Sequence, residues 1–467
     1  MYISAGSPIV TGCTFLANQA TFGTVCDDEG CRTAHASGGG ILSQSSHPTI
    51  TDCNFTDNLA MDRGGAVCNV LSITSLTHCV FTSNDANDSG GAVCNMDGGT
   101  MVLADCSFDK NVADQDGGAL SAVESTTTVR HSTFTGSRTR GDDGGAVANV
   151  MGTLTLDNCV LEGNRAGEDG GALADFDSNS VAVNCIFSGN SASEDGGAVY
   201  AWETSVTLTG CTLTENTCRD DGGALHNRAT NHVSLTDCYF TGNNARDNGG
   251  GIFSRYAASP QLLHCVFAGN VAGSTGAAIY NRDDSNPRLT NCLFFSNMAG
   301  DSGGALYSRN NSSPILTNCT ISGNTATFEC GGVMSWDECG PQLRNCILWA
   351  NTCGNGTQEQ AQIQGGTPDI RSCCIQSYSH DLAATGSTAK DPLFVSGPLG
   401  DYYLSQKAAG QADTSPCCDT GTVPPVAIDL AGFTTRTDQA EDPSPLDMGY
   451  HYPVVVPADP NSNGDGR

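Results

Sequence analysis

The sequence of 467 residues predicts an all-β solenoid, a right-handed parallel β-helix of about 14 coils with a C-terminal cap. Three observations predict it. A cysteine recurs every 26 or 27 residues, most repeats carry Gly-Gly-Ala or a close variant, and helical spacing of apolar residues is nowhere sustained. Because one such repeat cannot bury a core alone, each coil is stabilised by stacking on its neighbours. At about 4.8 Å per coil the stack forms a rod about 65 Å long.

The register of the repeat follows from equivalent positions along the chain, which are cysteine in all but one case. They are Cys53, Cys79, Cys106, Ser132, Cys159, Cys185, Cys211, Cys238, Cys265, Cys292, Cys319, Cys346 and Cys373. Cys13 belongs to the same series, but an insertion lengthens its step to 40 residues. Within one repeat, Val206 and Leu208 alternate with polar residues, and the alternation slips by one residue before Cys211. A strand that changes its inward set must bend there, so a corner is predicted at Thr209-Gly210.

The stacked register predicts a role for each recurring residue. Cysteine and the phenylalanine two residues later repeat inside the tube as ladders of like side chains. The asparagine five residues after each cysteine lies at a corner, where it can hydrogen-bond to the coils on either side. The glycines supply backbone conformations that other residues rarely adopt.

Composition and charge exclude several classes of function. The net charge of −30 argues against nucleic acid or an anionic membrane as a partner. No stretch approaches 18 apolar residues, so no membrane span is predicted. The 24 cysteines include no CxxC pairs at zinc-ribbon spacing, which favours an oxidising compartment and therefore an extracellular or cell-surface protein.

Two paired motifs carry a resemblance to a known family. Phe55-Thr56-Asp57-Asn58 is followed by Gly64-Gly65-Ala66-Val67, and Phe187-Ser188-Gly189-Asn190 by Gly196-Gly197-Ala198-Val199. These units resemble the repeats of chlamydial polymorphic outer-membrane proteins and of secreted bacterial right-handed β-helix proteins. The resemblance covers residues 1–375 and implies a surface or adhesive protein without fixing a ligand.

The C-terminal part of the chain divides into two further segments. Residues 376–453 contain "DPLF", "DYYL", "SPCC" and "DMG", which resemble the closing segment of secreted β-helix proteins and imply a cap over exposed strand edges. Residues 454–467 form a linker and a tail with the one-three-five-seven spacing of a truncated calcium loop, at Asp459, Asn461, Asn463 and Asp465. The chain begins in the middle of a coil, so we expect a longer precursor whose secretion signal lies upstream.

A column of aspartates is predicted beside the glycine turns. The residues Asp116, Asp143, Asp169, Asp195 and Asp221 precede successive turns and should lie about 4.8 Å apart. Like charges at that spacing repel one another by about 0.9 kcal/mol in bulk water. Either water and salt screen the column, or calcium bridges it as a structural cofactor.

The cysteines are expected to behave in two ways. Most ladder cysteines should be buried thiols that pack like small hydrophobic side chains. Three pairs off the ladder are disulfide candidates: Cys26 with Cys31 inside the insertion, Cys330 with Cys339 around a turn, and Cys68 with Cys94 in adjacent coils. The last pair is either a thiol ladder pair or a cross-coil bridge.

For function, the sequence favours a structural protein over an enzyme, for which the class would be a polysaccharide lyase or hydrolase. The nine histidines do not converge in the repeat pattern, and no repeat departs from the others in a way that indicates a catalytic site. A filament or surface-layer subunit that associates head to tail is the first hypothesis. An adhesin that binds surface glycans is the alternative, and it requires exposed aromatic residues in one stacked column. Counted along the repeats, Trp202, Trp336 and Trp349 fall in different slots, which favours the structural hypothesis.

Overall fold

The computed structural model describes the chain except residues 22, 28–29, 35, 230–231, 355, 423–428, 443–444 and 456–467, and the side chains of residues 22–35. The chain folds as a parallel β-solenoid, which confirms the predicted fold class. Three long sheets run along it, and each contains 14 strands paired in parallel from coil to coil. The first coil is followed by the insertion and the last contains a short helix, so the 12 coils between them are the regular ones.

Sheet 1 is formed by the strands that follow the glycine turns. Its strands are Tyr2–Ser4, Ile41–Gln44, Val67–Val70, Val93–Met96, Leu120–Val123, Val147–Val150, Leu173–Phe176, Val199–Trp202, Leu225–Arg228, Ile252–Arg255, Ile279–Asn281, Leu306–Ser308, Val333–Ser335 and Ile363–Gln364. The strands of sheet 2 are Ile9–Thr11, Thr49–Thr51, Ile73–Thr77, Thr100–Ala104, Thr126–Arg130, Thr153–Asp157, Asn179–Val183, Ser205–Thr209, His232–Thr236, Gln261–Leu263, Arg288–Thr290, Ile315–Thr317, Gln342–Arg344 and Asp369–Arg371. The strands of sheet 3 are Thr14–Leu16, Asn54–Thr56, Val80–Thr82, Ser107–Asp109, Thr133–Thr135, Val160–Glu162, Ile186–Ser188, Thr212–Thr214, Tyr239–Thr241, Val266–Ala268, Leu293–Phe295, Thr320–Ser322, Ile347–Trp349 and Cys374–Ile375.

Short elements complete the described structure. Two corner sheets comprise Gln19–Ala20, Leu59–Ala60, Asp85–Ala86, Val112–Ala113 and Arg138–Thr139, and Ser191–Ala192, Thr217–Cys218, Asn244–Ala245, Val271–Ala272, Met298–Ala299 and Thr325–Ala326. Three antiparallel pairs are Gly23–Asp27 with Gly30–Ala34, Phe394–Gly397 with Gly400–Leu404, and Phe433–Thr434 with Tyr452–Pro453. The helices are Glu359–Gln362, Leu382–Thr385 and the 3-10 turn Lys407–Ala409. Among the described residues no helix is both long and apolar enough to cross a membrane.

The core of the tube is a set of stacked ladders, as the register predicts. Phe15, Phe55, Phe81, Phe108 and Phe134 stack with ring centroids 4.5–4.9 Å apart. The ladder cysteines from Cys53 to Cys373 are buried free thiols. The predicted corner also forms, since one strand of sheet 2 ends at Thr209 and Gly210 has φ +62°. Inward side chains therefore repeat at the same place in each coil and pack against their own kind.

The corner asparagines form a hydrogen-bonded ladder, in which Ser137 takes the place of one asparagine. Asn216 shows the pattern: its Nδ2 donates to the carbonyl of Phe187 at 2.9 Å and to Oδ1 of Asn243 at 2.9 Å. Its Oδ1 accepts from the backbone N–H and from Nδ2 of Asn190, each at 3.0 Å. Eleven asparagines of this ladder are fully buried: Asn58, Asn84, Asn111, Asn164, Asn190, Asn216, Asn243, Asn270, Asn297, Asn324 and Asn351. Each one satisfies the backbone groups that a sharp corner leaves unpaired.

The first glycine of each turn allows a close approach to sheet 1. Gly276 has φ +65°, and a Cβ at this position would lie 2.7 Å from the carbonyl oxygen of Ile279 and 2.8 Å from Cβ of Tyr280. Any side chain here would be strained by its backbone conformation and by this contact. The turn consequently folds down over the outer side of sheet 1 and partly covers it.

The C-terminal segment differs from the predicted cap. Residues 382–388 pair with the last coil, where Ile375 N–H donates to the Thr388 carbonyl at 2.9 Å. Residues 394–453 instead lie along the outer side of sheet 3, where Tyr450 and Tyr452 pack on Val266 and Leu293. The outward positions of sheet 3 are apolar in these coils, and covering them explains why the segment turns along the rod.

The disulfide candidates have different outcomes. Cys26 and Cys31 lie opposite each other in the antiparallel pair of the insertion, and their side chains fall outside the described residues. Cys68 and Cys94 pair in register as buried free thiols, which matches the ladder alternative. The pairing of Cys330 with Cys339 is wrong. The Cys330 thiol donates to the carbonyl of Val333 at 3.2 Å within the turn, whereas the strand Val333–Ser335 separates it from Cys339, and both are free.

Candidate functional site

One column of sheet 1 departs from the repeat pattern on the outer surface of the rod. Strand pairing aligns Phe176 with Trp202, Trp202 with Arg228, and Arg228 with Arg255. In the next three strands, the residue directly after the paired segment occupies the same slot. We call this column the arginine–aromatic stripe; its members are Phe176, Trp202, Arg228, Arg255, Arg282, Arg309 and Trp336. In earlier coils the slot holds Val70, Met96, Val123 and Val150, so the stripe is confined to the C-terminal half of the sheet.

The two tryptophans of the stripe and a neighbouring tyrosine are open to solvent. Trp202 is 39% exposed and Trp336 is 52% exposed, and Tyr256, which flanks the stripe, is 49% exposed. The guanidinium carbon of Arg228 lies 4.8 Å from the ring centroid of Trp202, and that of Arg255 lies 5.3 Å from the centroid of Tyr256. These cation–π contacts help to position the arginine side chains beside the exposed rings.

The arginines have few carboxylate partners. Arg282 Nε lies 2.8 Å from Asp283, and Arg255 reaches Asp195 only at 3.7 Å. The Nε of Arg255 is buried and has no hydrogen-bond partner among the described residues. Four of the 20 lysines and arginines of this acidic chain stand in one column.

A buried aromatic row supports the stripe from the neighbouring slot of the same strands. The rings of His226 and Phe253 lie 4.8 Å apart, those of Phe253 and Tyr280 stack at 4.9 Å, and those of Tyr280 and Tyr307 stack at 5.2 Å. Tyr200 extends the row and lies 5.3 Å from His226. In earlier coils this slot holds small residues. The large rigid rings that replace them pack beside the stripe and support its side chains.

His226 couples the aromatic row to the aspartate column. The side chain is fully buried, and its Nδ1 lies 2.9 Å from Oδ2 of Asp195. Burial alone would raise the pKa of Asp195, but His226, the backbone N–H of Asp221 and Arg255 together hold that pKa below its usual value. The repeat pattern did not predict this pair, which the stacking of neighbouring coils brings together.

The five predicted aspartates do form a column, and the backbone uses their oxygens. Oδ1 of Asp143 accepts from the N–H of Asp169 at 2.7 Å, Oδ1 of Asp169 accepts from Asp195 at 2.8 Å, and Oδ1 of Asp195 accepts from Asp221 at 2.9 Å. Asp116 accepts the N–H of Asp143 at 3.4 Å. The column is therefore a carboxylate ladder in which each residue pairs with the next coil.

The charge of this ladder is unfavourable where no cation faces it. Burial, with the neighbouring carboxylates of Asp169, Asp116 and Asp142, raises the pKa of Asp143 to about 8. Burial likewise raises the pKa of Asp116 and of Asp169, each to about 6. Protonation of a carboxyl group, or a bound cation, would therefore reduce the repulsion between the carboxylates of this ladder.

One group of carboxylates in the ladder could hold a cation. In the described part of the chain, single oxygens of Asp116, Asp142 and Asp143 lie within 4.8 Å of one another. Carboxylate oxygens are ligands that calcium accepts in flexible geometry. Asp142 was not among the predicted ligands, and Asp169, Asp195 and Asp221 do not join this group. The tail positions Asp459, Asn461, Asn463 and Asp465 lie outside the described residues, and calcium stays a prediction.

The slot assignment of the tryptophans was wrong, for a reason visible in the register. Leu306 pairs with Val333, so Cys330 takes the place of the first turn glycine and has φ +39°. Counting from the Gly-Gly pair at residues 331–332 therefore misplaces Trp336 by one slot. Trp202 and Trp336 share one column, whereas Trp349 lies in sheet 3. The arginines at the same offset in four successive repeats were a signal that the sequence offered.

Comparison with known proteins supports the fold. Residues 96–300 match a family described as right handed beta helix region. Searches of curated proteins and of solved structures gave no match. The resemblance to chlamydial repeats stays a prediction. The matched region and the stacked coils support a β-helix repeat fold, and this fold is common to adhesins, surface proteins and polysaccharide-active enzymes.

Proposed function

We propose that the protein is an extracellular rod that binds an acidic polysaccharide along the arginine–aromatic stripe. The observation that carries this proposal is the column of four arginines bounded by Trp202 and Trp336. With coils about 4.8 Å apart, the arginines span about 14 Å and the two tryptophans about 24 Å. An extended polymer that runs parallel to the rod axis can contact every member at once.

The chemistry of the stripe fits both faces of an acidic sugar. A guanidinium pairs with a carboxylate or sulfate through two parallel hydrogen bonds, which a lysine could not do. The exposed rings of Trp202, Trp336 and Tyr256 offer flat apolar surfaces on which the C–H face of a sugar ring can lie. Repetition of the same contacts from coil to coil suits a repeating polymer better than a single small ligand.

The electrostatics of the whole chain favour the stripe over other surfaces. The net charge of −30 disfavours a polyanion over the surface as a whole, and the column of arginines is a place where such a ligand gains charge–charge attraction. Binding that depends on exposed ion pairs weakens as salt screens them. We therefore expect the affinity to fall steeply with ionic strength.

The proposal is binding without cleavage. His226 and Asp195 are 0% and 15% exposed and pair with each other beneath the stripe. Asp283, the carboxylate closest to a stripe arginine, is paired with Arg282 at 2.8 Å. A general acid or base must come within hydrogen-bond reach of the proton that it transfers. β-Helix proteins include both enzymes and non-enzymes, so degradation is measured in the same experiment.

The test is titration of the protein with polygalacturonate, alginate and neutral dextran by calorimetry. We expect binding of the two polyanions and none of dextran. Trp202→Ala, and the double variant Arg282→Ala with Arg309→Ala, should each weaken binding at least ten-fold. Arg288→Ala is the matched control, because Arg288 lies exposed on sheet 2 of the Arg282 coil. Equal affinity in all variants would contradict the proposal, and release of unsaturated or reducing ends would replace it with an enzyme.

The filament hypothesis is tested separately. Head-to-tail association of rods would present many stripes in series and raise the avidity for a long polymer. The stripe is formed within a single chain and requires no contact between copies, so assembly stays a prediction. Light scattering over a concentration series should give a mass that rises with concentration, and a constant monomer mass would contradict assembly.

A further inference from the structure

A cavity lies on a different face of the rod from the stripe, between sheet 3 and the C-terminal segment. Its volume is about 680 Å³, which is within the range of small-molecule sites. Tyr239 and Phe295 line it from sheet 3, and Tyr402, Tyr450 and Tyr452 line it from the C-terminal segment. We call it the tyrosine cavity. The stripe belongs to sheet 1, so the two features are separate.

The walls of the tyrosine cavity are held in place by contacts among themselves. The ring of Tyr452 stacks on Tyr403 with centroids 4.1 Å apart and meets Tyr450 edge-on at 4.9 Å. The hydroxyl of Tyr452 accepts the backbone N–H of Tyr402 at 3.2 Å. The ring of Tyr402 in turn lies 5.5 Å from Phe295 of sheet 3. A ligand would therefore meet preformed aromatic surfaces.

One of the lining hydroxyls belongs to a largely buried tyrosine. Tyr450 is 5% exposed and lines the cavity. Burial raises the pKa of this phenol well above its ordinary value, so it remains a neutral donor. A ligand oxygen beside this hydroxyl can accept a hydrogen bond from it.

The remaining polar lining limits the charge of the ligand. Asp401 is the only charged residue among the described lining residues, and its Oδ1 accepts from the hydroxyl of Ser396 at 2.6 Å. A carboxylate at the wall repels an anion and accepts hydrogen bonds from hydroxyl groups. Flat aromatic walls, hydroxyl groups and a carboxylate acceptor fit a ring with apolar C–H groups and several hydroxyls.

We propose that the tyrosine cavity binds an uncharged sugar ring, as a second glycan site independent of the stripe. The ring stacks against the cavity tyrosines, one sugar oxygen accepts from the Tyr450 hydroxyl, and a sugar hydroxyl donates to Asp401. The site selects neutral sugars, whereas the stripe selects anionic ones.

The test uses glucose, galactose, mannose and N-acetylglucosamine as probes, with saturation-transfer NMR and calorimetry on the full chain. We expect at least one of these sugars to bind. Tyr450→Phe, which removes only the hydroxyl, should weaken it about five- to twenty-fold, and Tyr239→Ala should weaken it more. The controls Tyr378→Phe, outside the cavity, and the Arg282→Ala, Arg309→Ala double variant should bind as the unchanged protein does. Absence of binding by all four sugars would overturn the proposal, as would equal binding by Tyr450→Phe and Tyr239→Ala.

Discussion

Replacing Asn216 by alanine should lower the free energy of unfolding by about 3–5 kcal/mol, because it breaks the asparagine ladder at its centre. The substitution removes the two hydrogen bonds that the side chain donates and the two that it accepts. It leaves the N–H of Asn190 and the carbonyl of Phe187 buried without these partners. A buried unpaired group costs about 1–3 kcal/mol, which is why the effect exceeds that of a surface substitution.

Urea unfolding followed by circular dichroism measures this effect, and amide hydrogen exchange locates it. Exchange should accelerate first in the coils that contain Asn190, Asn216 and Asn243. Asn179→Ala is the matched control, since Asn179 is exposed at the start of a strand of sheet 2, and it should change stability by less than about 0.5 kcal/mol. Equal loss in both variants would show that the ladder does not stabilise the corner.

Replacing Asp143 by asparagine should stabilise the protein at pH 9 and have little effect at pH 4. The amide keeps an oxygen for the N–H of Asp169 and removes the charge. Because the folded pKa of about 8 lies above the ordinary value of 3.8, the contribution of Asp143 is fully present below about pH 4 and is lost as the pH rises through 8. Each pKa unit corresponds to about 1.4 kcal/mol, and solvent screening of this partly exposed group reduces the expected gain to about 2 kcal/mol.

Thermal unfolding at pH 4, 6 and 9 checks this prediction. It is run in a chelator, because calcium at Asp116, Asp142 and Asp143 would neutralise the same charge. The control is Asp177→Asn, an exposed corner carboxylate that is not part of the ladder. A gain for Asp143→Asn that is the same at pH 4 and pH 9 would rule out charge repulsion as its cause. A melting temperature that rises with calcium in the unchanged protein, and not in Asp143→Asn, would support the calcium prediction.

The fold was predictable from the repeat because each coil contains the residues that determine its own geometry. The spacing of Cys211, the corner at Gly210 and the buried Asn216 each follow from local pattern, and stacking multiplies them over the chain. The course of residues 394–453 was not predictable in this way. Whether a closing segment covers the end of the tube or its side depends on the outward residues of sheet 3, such as Val266 and Leu293. The pattern of inward residues, from which the fold was predicted, contains no information about them.

The candidate sites were harder to predict because they depend on outward residues in adjacent coils. The aspartate column followed from the sequence, since its members share one offset from the turn. The pairing of His226 with Asp195 joins two different slots of neighbouring coils, which only the three-dimensional stack brings to 2.9 Å. The stripe was within reach, but the substitution of Cys330 for a turn glycine shifted the count and separated Trp336 from Trp202.

The most direct test of the central claim is the structure of the protein with an oligogalacturonate of six or more residues. The account predicts a sugar chain parallel to the rod axis along sheet 1, with carboxylates within hydrogen-bond distance of Arg255, Arg282 and Arg309 and a ring against Trp202. An oligosaccharide bound on another face, or a stripe without ligand at saturating concentration, would contradict the account.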